Sequence, residues 1–279
     1  MTLLDTKKRM NPIPESASSR MAPIIHLVRH AQGYHNLNDE NQLIKDPLLT
    51  PLGEAQCDEL CKRFGEHEKI THLVASPMRR TLYTCLRSFT PAAQSGKKVI
   101  ALPDAQEVSI NPCDIGSDPD TLKAESGGRV DFGLVQPGWN DKSEDSKYFP
   151  APAKLVARSR DVRLWLRELV KGAGEDAQVV LVTHGGILHF LTEDWDGFAP
   201  SKGTGWQNTE LRSYEFEDPE GKDPNASLRE TKPSWRRRRG SEIPLSRAEQ
   251  VQLQQAYHER VREEHEEVLA TLAKRAGTQ

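Results

Sequence analysis

The chain has 279 residues and a formal net charge of −3 at pH 7. This charge provides no overall basic field that would attract nucleic acid or an anionic membrane, and no apolar run approaches the roughly 18 residues of a membrane span. The first twenty residues also lack the apolar segment of a secretory signal. We therefore expect a cytoplasmic protein that binds neither nucleic acid nor membranes.

The four cysteines are predicted to be reduced thiols. Cys57 and Cys61 recur at helical spacing with Leu60 and Phe64, a pattern typical of one buried helix face. A metal-binding pair at this spacing is the alternative. Because free cysteine commonly packs as a small hydrophobic residue, we predict core packing and no metal.

The two ends of the chain differ in character from its middle. Residues 1–20 are polar and predict a flexible N-terminal arm. Residues 218–244 predict a charged linker, whose run Arg236–Arg239 is either a solvated surface or a nuclear-localisation signal, the solvated surface being favoured. Residues 245–279 predict a charged helix with a narrow apolar stripe, which docks on the same chain or on a partner helix.

Strand and helix patterns alternate over the predicted catalytic domain, residues 21–217. Thr50-Pro51 and Ser76-Pro77 are typical helix starts. The predicted strands are 23–28, 70–75, 98–102, 178–182 and an edge strand at 211–216, and the predicted helices are 51–64, 77–89, 153–170 and 187–191. This alternation predicts an α/β fold, a three-layer α/β/α sandwich around a mostly parallel sheet.

The segment 103–151 lacks a regular pattern and is rich in Gly, Pro, Asp and Ser. Irregular segments of this length are commonly lids or disordered. Its aromatic residues argue against disorder; they are Phe132, Trp139, Tyr148 and Phe149. We expect them either to shape a lid over the site or to fix the segment to the domain.

Two histidines stand where predicted strands end. Arg29 and His30 follow the first strand, and His184 follows the apolar run 178–182. The carboxyl ends of parallel strands meet at one edge of a sheet, where open α/β sheets bind their ligands. We therefore expect these three side chains to lie in one site.

These residue types suit phosphoryl transfer. A neutral histidine attacks phosphorus and forms a phosphohistidine that water cleaves, and arginines hold the charged phosphoryl oxygens. Arg80 is brought by the first turn of the predicted second helix, where the helix dipole also favours anions. A carboxylic acid is needed to protonate the leaving oxygen, and Glu107 follows the third strand.

Four segments in chain order resemble the histidine phosphatase superfamily, the phosphoglycerate mutase-like family, over residues 23–216. They are Arg29-His30-Ala31 with Asn36, Asp46-Pro47-Leu48-Leu49-Thr50-Pro51-Leu52-Gly53, Ser76 with Arg80 and Thr84, and His184-Gly185. The resemblance implies a phosphoglycerate mutase-like fold and a phosphatase without a cofactor, acting on a small phosphorylated molecule.

The resemblance also assigns roles by position. His30 is expected to be the nucleophile, and Arg29, Arg80 and His184 are expected to bind the phosphoryl oxygens. Asn36 is expected to make an outer contact. Glu107 is the expected acid, with Asp104 and Asp114 as rivals.

Two departures from the family pattern bear on function. Gly33 stands where the family often has Ser or Thr, and Gln32 or backbone amides are expected to substitute for that side chain in binding substrate. The segment Val108–Asn111 lacks the Arg-x-Tyr-Gly of the glycolytic mutases. We therefore predict a metal-independent phosphatase, with a phosphoglycerate-type mutase and a non-catalytic phosphoryl-binding protein as alternatives.

Overall fold

The computed structural model describes residues 22–174, 176–199 and 203–276. The predicted N-terminal arm, residues 1–20, lies outside the described residues. In the described part of the chain, no helix combines the length and the apolar character that crossing a membrane requires.

Seven strands of the described residues form one sheet, in the order β4-β3-β2-β5-β1-β6-β7. Their bounds are β1 Ile24–Arg29, β2 Ile70–Ala75, β3 Val99–Ala101, β4 Val130–Asp131, β5 Gln178–Thr183, β6 Leu211–Phe216 and β7 Leu228–Glu230. The pairs from β4 to β1 are parallel, whereas β6 pairs antiparallel with both β1 and β7. The prediction of a mostly parallel sheet is confirmed.

Strand β5 lies at the centre of the sheet, and all six of its residues are buried. Val179 and Leu181 belong to one apolar cluster, and Val180 and Val182 to another. Because successive strand residues point to opposite faces, the two clusters lie on opposite faces of the sheet. A strand covered on both faces needs a continuous apolar sequence, and this run is what made β5 predictable.

Helices cover both faces and complete the three layers of the α/β/α sandwich. Leu60 of α1 and Leu82 of α2 belong to one cluster, and Val162 of α5 and Leu188 of α6 to the other. The helices are α1 Pro51–Phe64, α2 Arg79–Ser88, α3 Thr90–Gln94, α4 Pro119–Ser126, α5 Pro152–Ala173, α6 Gly185–Thr192, α7 Lys232–Arg239 and α8 Arg247–Ala276. The predicted fold class is therefore confirmed.

Helix α1 starts where the sequence predicts. The Thr50 hydroxyl accepts a hydrogen bond from the Gly53 N–H at 3.0 Å. A Cβ on Gly53 would lie 2.1 Å from the carbonyl oxygen of Gln32. Glycine at this position therefore lets the first turn of α1 lie directly on the loop that follows β1.

Helix α2 starts later than predicted. It begins at Arg79 with Met78 as its N-cap, rather than at Pro77 with Ser76. The Ser76 hydroxyl is engaged elsewhere, because it shares a hydrogen bond with His184.

The segment 103–151, predicted to be irregular, contains α4 and β4. Trp139 and Tyr148 are buried in it. A Cβ on Gly116 would lie 2.1 Å from the Trp139 ring, so the indole packs directly on that backbone. These aromatic side chains fix the segment to the domain.

The segment 218–244, predicted to be a charged linker, contributes β7 and α7 to the fold. Because β7 pairs with β6, β6 is not the edge strand that the sequence suggested. Within α7, Arg238 pairs with Glu230 at 2.7 Å and Arg239 pairs with Asp196. Half of the four-arginine run therefore stabilises the fold.

Helix α8 docks on the same chain. Tyr257 and Val261 are buried in the cluster formed with α5 and α6. The Tyr257 ring lies 5.0 Å from that of Trp195 and 5.6 Å from that of Phe190, measured between ring centres. The apolar stripe of this helix is therefore used within the chain.

Candidate active site

The main chain around His30 is fixed at the carboxyl end of β1. Its N–H donates to the Thr183 carbonyl at 2.9 Å, and its own carbonyl accepts from the Asn208 side chain at 2.9 Å. The next residue, Ala31, donates its N–H to the Thr84 hydroxyl at 3.0 Å. The position of His30 is thus set by β1, β5, α2 and the loop before β6.

The imidazole of His30 is held in one tautomer. Its Nδ1 lies 2.7 Å from the carbonyl oxygen of Ala31. Because a carbonyl can only accept, Nδ1 carries the proton and the lone pair is on Nε2. Among the described residues, Nε2 has no hydrogen-bond partner, so it is available to attack.

His184 lies beside His30 because β5 and β1 are neighbours. The register pairs Arg29 with Thr183, so the two histidines leave the sheet at the same level. Their ring centres are 5.2 Å apart with the planes at 63°. The Nε2 of His184 shares a 2.9 Å hydrogen bond with the Ser76 hydroxyl, whereas its buried Nδ1 has no partner among the described residues.

Both histidines are neutral at physiological pH. Burial holds the pKa of His30 well below 6.5, and the positive charges of Arg80 and Arg29 lower it further. The pKa of His184 is also well below 6.5, chiefly because of burial and then because of Arg80. A neutral His30 is the form that a nucleophile requires.

The two predicted arginines reach the same site. Arg80 is 1% exposed and donates to the Cys113 carbonyl and to the Asp114 carboxylate, both at 2.7 Å. Arg29 donates to the Trp206 carbonyl at 2.5 Å. Each guanidinium has five N–H donors, and the Nε of both arginines is buried without a partner among the described residues. Both retain donors for an anion.

Asp46 fixes the start of α2 and thereby places Arg80. One carboxylate oxygen of this fully buried residue accepts from the Arg79 N–H at 3.0 Å, and the other accepts from the Ser117 N–H at 2.9 Å. The Asp46–Gly53 segment therefore supports the site at both its ends, although no role was assigned to Asp46 from the sequence.

Glu107, the expected acid, lies at the N-terminus of α6. One carboxylate oxygen accepts the N–H groups of Val108 and Ile187 at 3.0 and 2.9 Å, and the other accepts that of Gly186 at 3.0 Å. Burial raises the pKa of Glu107, and the negative charge of Asp114 raises it further. This carboxyl group is therefore poised to hold a proton closer to neutral pH than an ordinary glutamate.

The rival carboxylates have other partners. Asp104 pairs with Lys147 at 2.6 Å. Asp114 is buried against Arg80 and accepts from the Ser109 hydroxyl at 2.5 Å. The pKa of Asp114 is lowered even though burial opposes this, and Arg80 is the largest of the groups that lower it. An ionised Asp114 positions Arg80, which leaves Glu107 as the best-placed acid.

The two polar residues predicted to contact substrate are used in local hydrogen bonds. The Gln32 side-chain oxygen accepts from the Thr50 hydroxyl at 2.8 Å. Asn36 is exposed, and its side-chain oxygen accepts from the Gly33 N–H at 3.1 Å. Both stabilise the loop after β1, and their contact with substrate stays a prediction.

Two buried cations that the sequence did not single out hold the main chain of Glu107. Lys142 donates to the carbonyls of Glu107 and Ser109 at 2.9 and 2.6 Å. Arg158 donates to the Gln106 carbonyl at 2.8 Å and to that of Glu107 at 3.3 Å. Lys142 lies in the 103–151 segment, so this segment fixes the main chain of Glu107.

A third histidine, His35, also lies in the site. Its ring centre is 5.3 Å from that of His30. The sequence places it only five residues after His30, which was the available signal. Among the described residues, no group of three or more His, Cys, Asp or Glu side chains is arranged to hold a metal ion.

The chain matches the model of the histidine phosphatase superfamily (branch 1) over residues 25–223, and it belongs to this family. It is 28% identical over 208 residues to phosphoglycerate mutase-like protein 1 of Arabidopsis thaliana, covering 59% of this chain and 68% of that protein. It is 25% identical over 239 residues to another phosphoglycerate mutase-like protein of the same plant, covering 70% and 84%.

Solved structures of phosphatases show weaker likeness. A mycobacterial glucosyl-3-phosphoglycerate phosphatase is 21% identical, with 75% of this chain and 97% of that chain covered and a TM-score of 0.47. A phosphoserine phosphatase of Entamoeba histolytica is 18% identical, with 75% and 95% covered and a TM-score of 0.47. Because these scores are low, the family assignment rests on the sequence match.

Proposed function

We propose that this protein hydrolyses a phosphate monoester of a small organic metabolite through a phosphohistidine on His30. The observation that carries the proposal is the tautomer of His30, whose Nδ1 proton is bound by the Ala31 carbonyl. Its Nε2 lone pair is then free, next to the charges of Arg29 and Arg80. A neutral nucleophile beside fixed cations is the arrangement that attack on a phosphoryl group needs.

The reaction follows in two steps. His30 Nε2 forms a bond to phosphorus while the ester P–O bond breaks, and Glu107 gives its proton to the leaving oxygen. A water molecule then attacks phosphorus, its proton passes to Glu107, and the P–N bond breaks to release inorganic phosphate. The raised pKa of Glu107 suits this alternation between acid and base.

The positive charge in this mechanism comes from the protein. Arg29 and Arg80 hold the phosphoryl oxygens, and the neutral His184 supplies a further ring nitrogen. We propose that no metal ion takes part, and that the enzyme acts on phosphorylated metabolites in the cytoplasm.

A phosphoglycerate-type mutase is the second candidate, and the names of the plant relatives favour it. A mutase must protect its phosphohistidine from water until the phosphoryl group returns to a retained intermediate. The chain carries Val108–Asn111 where the glycolytic mutases carry their Arg-x-Tyr-Gly, which favours hydrolysis.

The test is hydrolysis of p-nitrophenyl phosphate in the presence of EDTA. We expect turnover in the wild type and a loss of at least about 10³-fold in His30→Ala, because removing a covalent nucleophile typically costs this much or more. The matched control is His72→Ala, a histidine of β2 outside the site. Acid-quenched protein should carry phosphate on His30.

Four results would contradict the proposal. Unchanged turnover in His30→Ala would show that His30 is not the nucleophile. Turnover that EDTA abolishes would show that the reaction needs a metal ion. Conversion of 3-phosphoglycerate to its 2-isomer, with a bisphosphoglycerate primer and without phosphate release, identifies a mutase. Vanadate binding without any turnover identifies a non-catalytic phosphoryl-binding protein.

A further inference from the structure

Gly33 has no backbone reason to be glycine. Its φ and ψ are −100° and 165°, an extended conformation that any residue adopts. The space beside it, however, is filled. A Cβ on residue 33 would lie 2.8 Å from both Cε1 and Nδ1 of His35. The missing side chain at position 33 therefore makes room for the His35 ring.

The His35 ring, which fills this space, lies beside the ring of His30. Its centre lies 5.3 Å from that of His30, with the planes at 46°. The charges that act on it are those of Arg80, Asp114 and Arg29, and the two arginines also act on His30. His35 thus approaches the phosphoryl site from the loop that follows β1.

The His35 ring is neutral, and neither of its nitrogens has a hydrogen-bond partner among the described residues. Burial, with Arg80 next, lowers the pKa of His35 to about 3, so the ring carries a single N–H at neutral pH. Its buried Nδ1 has no hydrogen-bond partner among the described residues. A buried polar atom without a partner is unfavourable, and such atoms are retained where a ligand satisfies them.

We propose that His35 is a substrate-binding residue whose Nδ1–H donates a hydrogen bond to a phosphoryl oxygen, and that Gly33 is required because its hydrogen leaves room for this ring. The inference rests on the proposed function in one respect, namely that a phosphoryl group occupies the site. It does not require that the group is hydrolysed.

The first test compares two substitutions of His35 by vanadate affinity and by the kcat and KM of p-nitrophenyl phosphate hydrolysis. His35→Leu removes both ring nitrogens, and we expect vanadate affinity and kcat/KM to fall roughly 10- to 100-fold, the range for one hydrogen bond to a charged group. His35→Asn keeps an N–H near the position of Nδ1 and should retain most of the affinity. His72→Leu is the matched control.

The second test uses Gly33. In Gly33→Ala the new Cβ displaces the His35 ring, so we expect a loss similar to that of His35→Leu. In the His35→Ala background the same change should cost little more, because the ring is already gone and the one close contact left is the Leu48 carbonyl oxygen, 3.3 Å from the new Cβ. If the double variant loses no more affinity than either single variant, the two positions act through the same side chain.

Unchanged vanadate affinity in His35→Leu overturns the inference, as do losses from Gly33→Ala and His35→Ala that multiply. If the wild type binds vanadate but does not hydrolyse the ester, the proposed function is wrong. The effect of the His35 substitutions on vanadate affinity can still be measured in that case. A wild type that neither binds vanadate nor hydrolyses ester overturns both. The unfolding midpoint of each variant shows whether a loss is one of folding.

Discussion

Lys142 shows how a single buried charge positions Glu107, the proposed acid. It is 8% exposed, its Nζ donates to the carbonyls of Glu107 and Ser109, and burial lowers its pKa to about 8. Lys142→Met keeps the length of the side chain but leaves the Ser109 carbonyl without its donor and the Glu107 carbonyl with only the 3.3 Å bond from Arg158. We expect a loss of about 2–3 kcal/mol of unfolding free energy, measured by urea denaturation.

The same variant should lower kcat about tenfold, since a small displacement of a catalytic group has effects of this size or larger. Lys154→Met is the matched control, because Lys154 also donates to two carbonyls, those of Glu144 and Ser146, in the outer part of the structure. A kcat that falls equally in both variants would show that Lys142 acts only on stability.

Some residues of the site could be predicted because they lie at the end of a strand or the start of a helix, and others could not. His30, His184 and Arg80 stand at predictable ends of elements, so their convergence follows from the parallel sheet. Lys142 and Asp46 act through main-chain groups distant in sequence, and no local pattern marks such contacts. His35 lies only five residues after His30 in the sequence, but the position of its ring depends on the space beside Gly33, which the sequence alone does not show.

At the scale of elements, α8 lies beyond residues 25–223, the part of the chain that matches the family, yet it meets the site. A Cβ on Gly186 would lie 2.6 Å from both the Tyr257 hydroxyl and Glu107 Oε1, so these two oxygens are neighbours. Asn111 also donates to Glu264 of α8 at 3.1 Å. The helix therefore covers the side of the site that holds Glu107.

We expect Tyr257→Ala to destabilise the protein by about 3–5 kcal/mol, the usual range for removing a buried aromatic ring. Tyr257 packs among the rings of His189, Trp195 and Phe198. Val251→Ala, at an exposed position of the same helix, is the control and should change the free energy of unfolding little. Equal effects in urea denaturation would mean that α8 is not docked in solution.

The elements that were not predicted from the sequence lack a visible pattern of buried and exposed residues. Strands β4 and β7 have two and three residues, too few for alternation to be visible. Five of the eight residues of α7 are charged, so the helix has no apolar stripe, and tertiary ion pairs such as Arg238–Glu230 stabilise it. Long elements with one buried face, such as α5, were predicted because burial imposes a period on the sequence.

At the scale of the whole molecule, the fold buries five histidines whose pKa values are lowered chiefly by burial. They are His26, His30, His35, His184 and His189. Since the unfolded chain takes up these protons near pH 6.5 and the folded chain does not, the unfolded state binds more protons below that pH. These histidines therefore leave the free energy of unfolding unreduced above about pH 6.5, and they lower it as the pH falls below that value.

The expected magnitude is large, because each such group contributes about 1.4 kcal/mol per pH unit below 6.5 until its folded pKa is reached. Glu107 and Glu264 have raised pKa values, chiefly from burial, and oppose this dependence in part. Because the histidines with lowered pKa values, which include His72 and His258, outnumber these two carboxyl groups, the net effect is a loss of stability in acid. Urea denaturation at pH 7.5, 6.5 and 5.5 should show a steep fall over the lower interval.

His189→Gln isolates one histidine of the set. The folded pKa of His189 is lowered to about 4, so the substitution removes one group that titrates only in the unfolded chain over this range. We expect the slope of unfolding free energy against pH to decrease by about one proton, or 1.4 kcal/mol per pH unit, between pH 6 and 5. A slope that His189→Gln leaves unchanged would mean that the His189 ring is protonated in the folded protein over this range, contrary to the lowered pKa of this buried histidine.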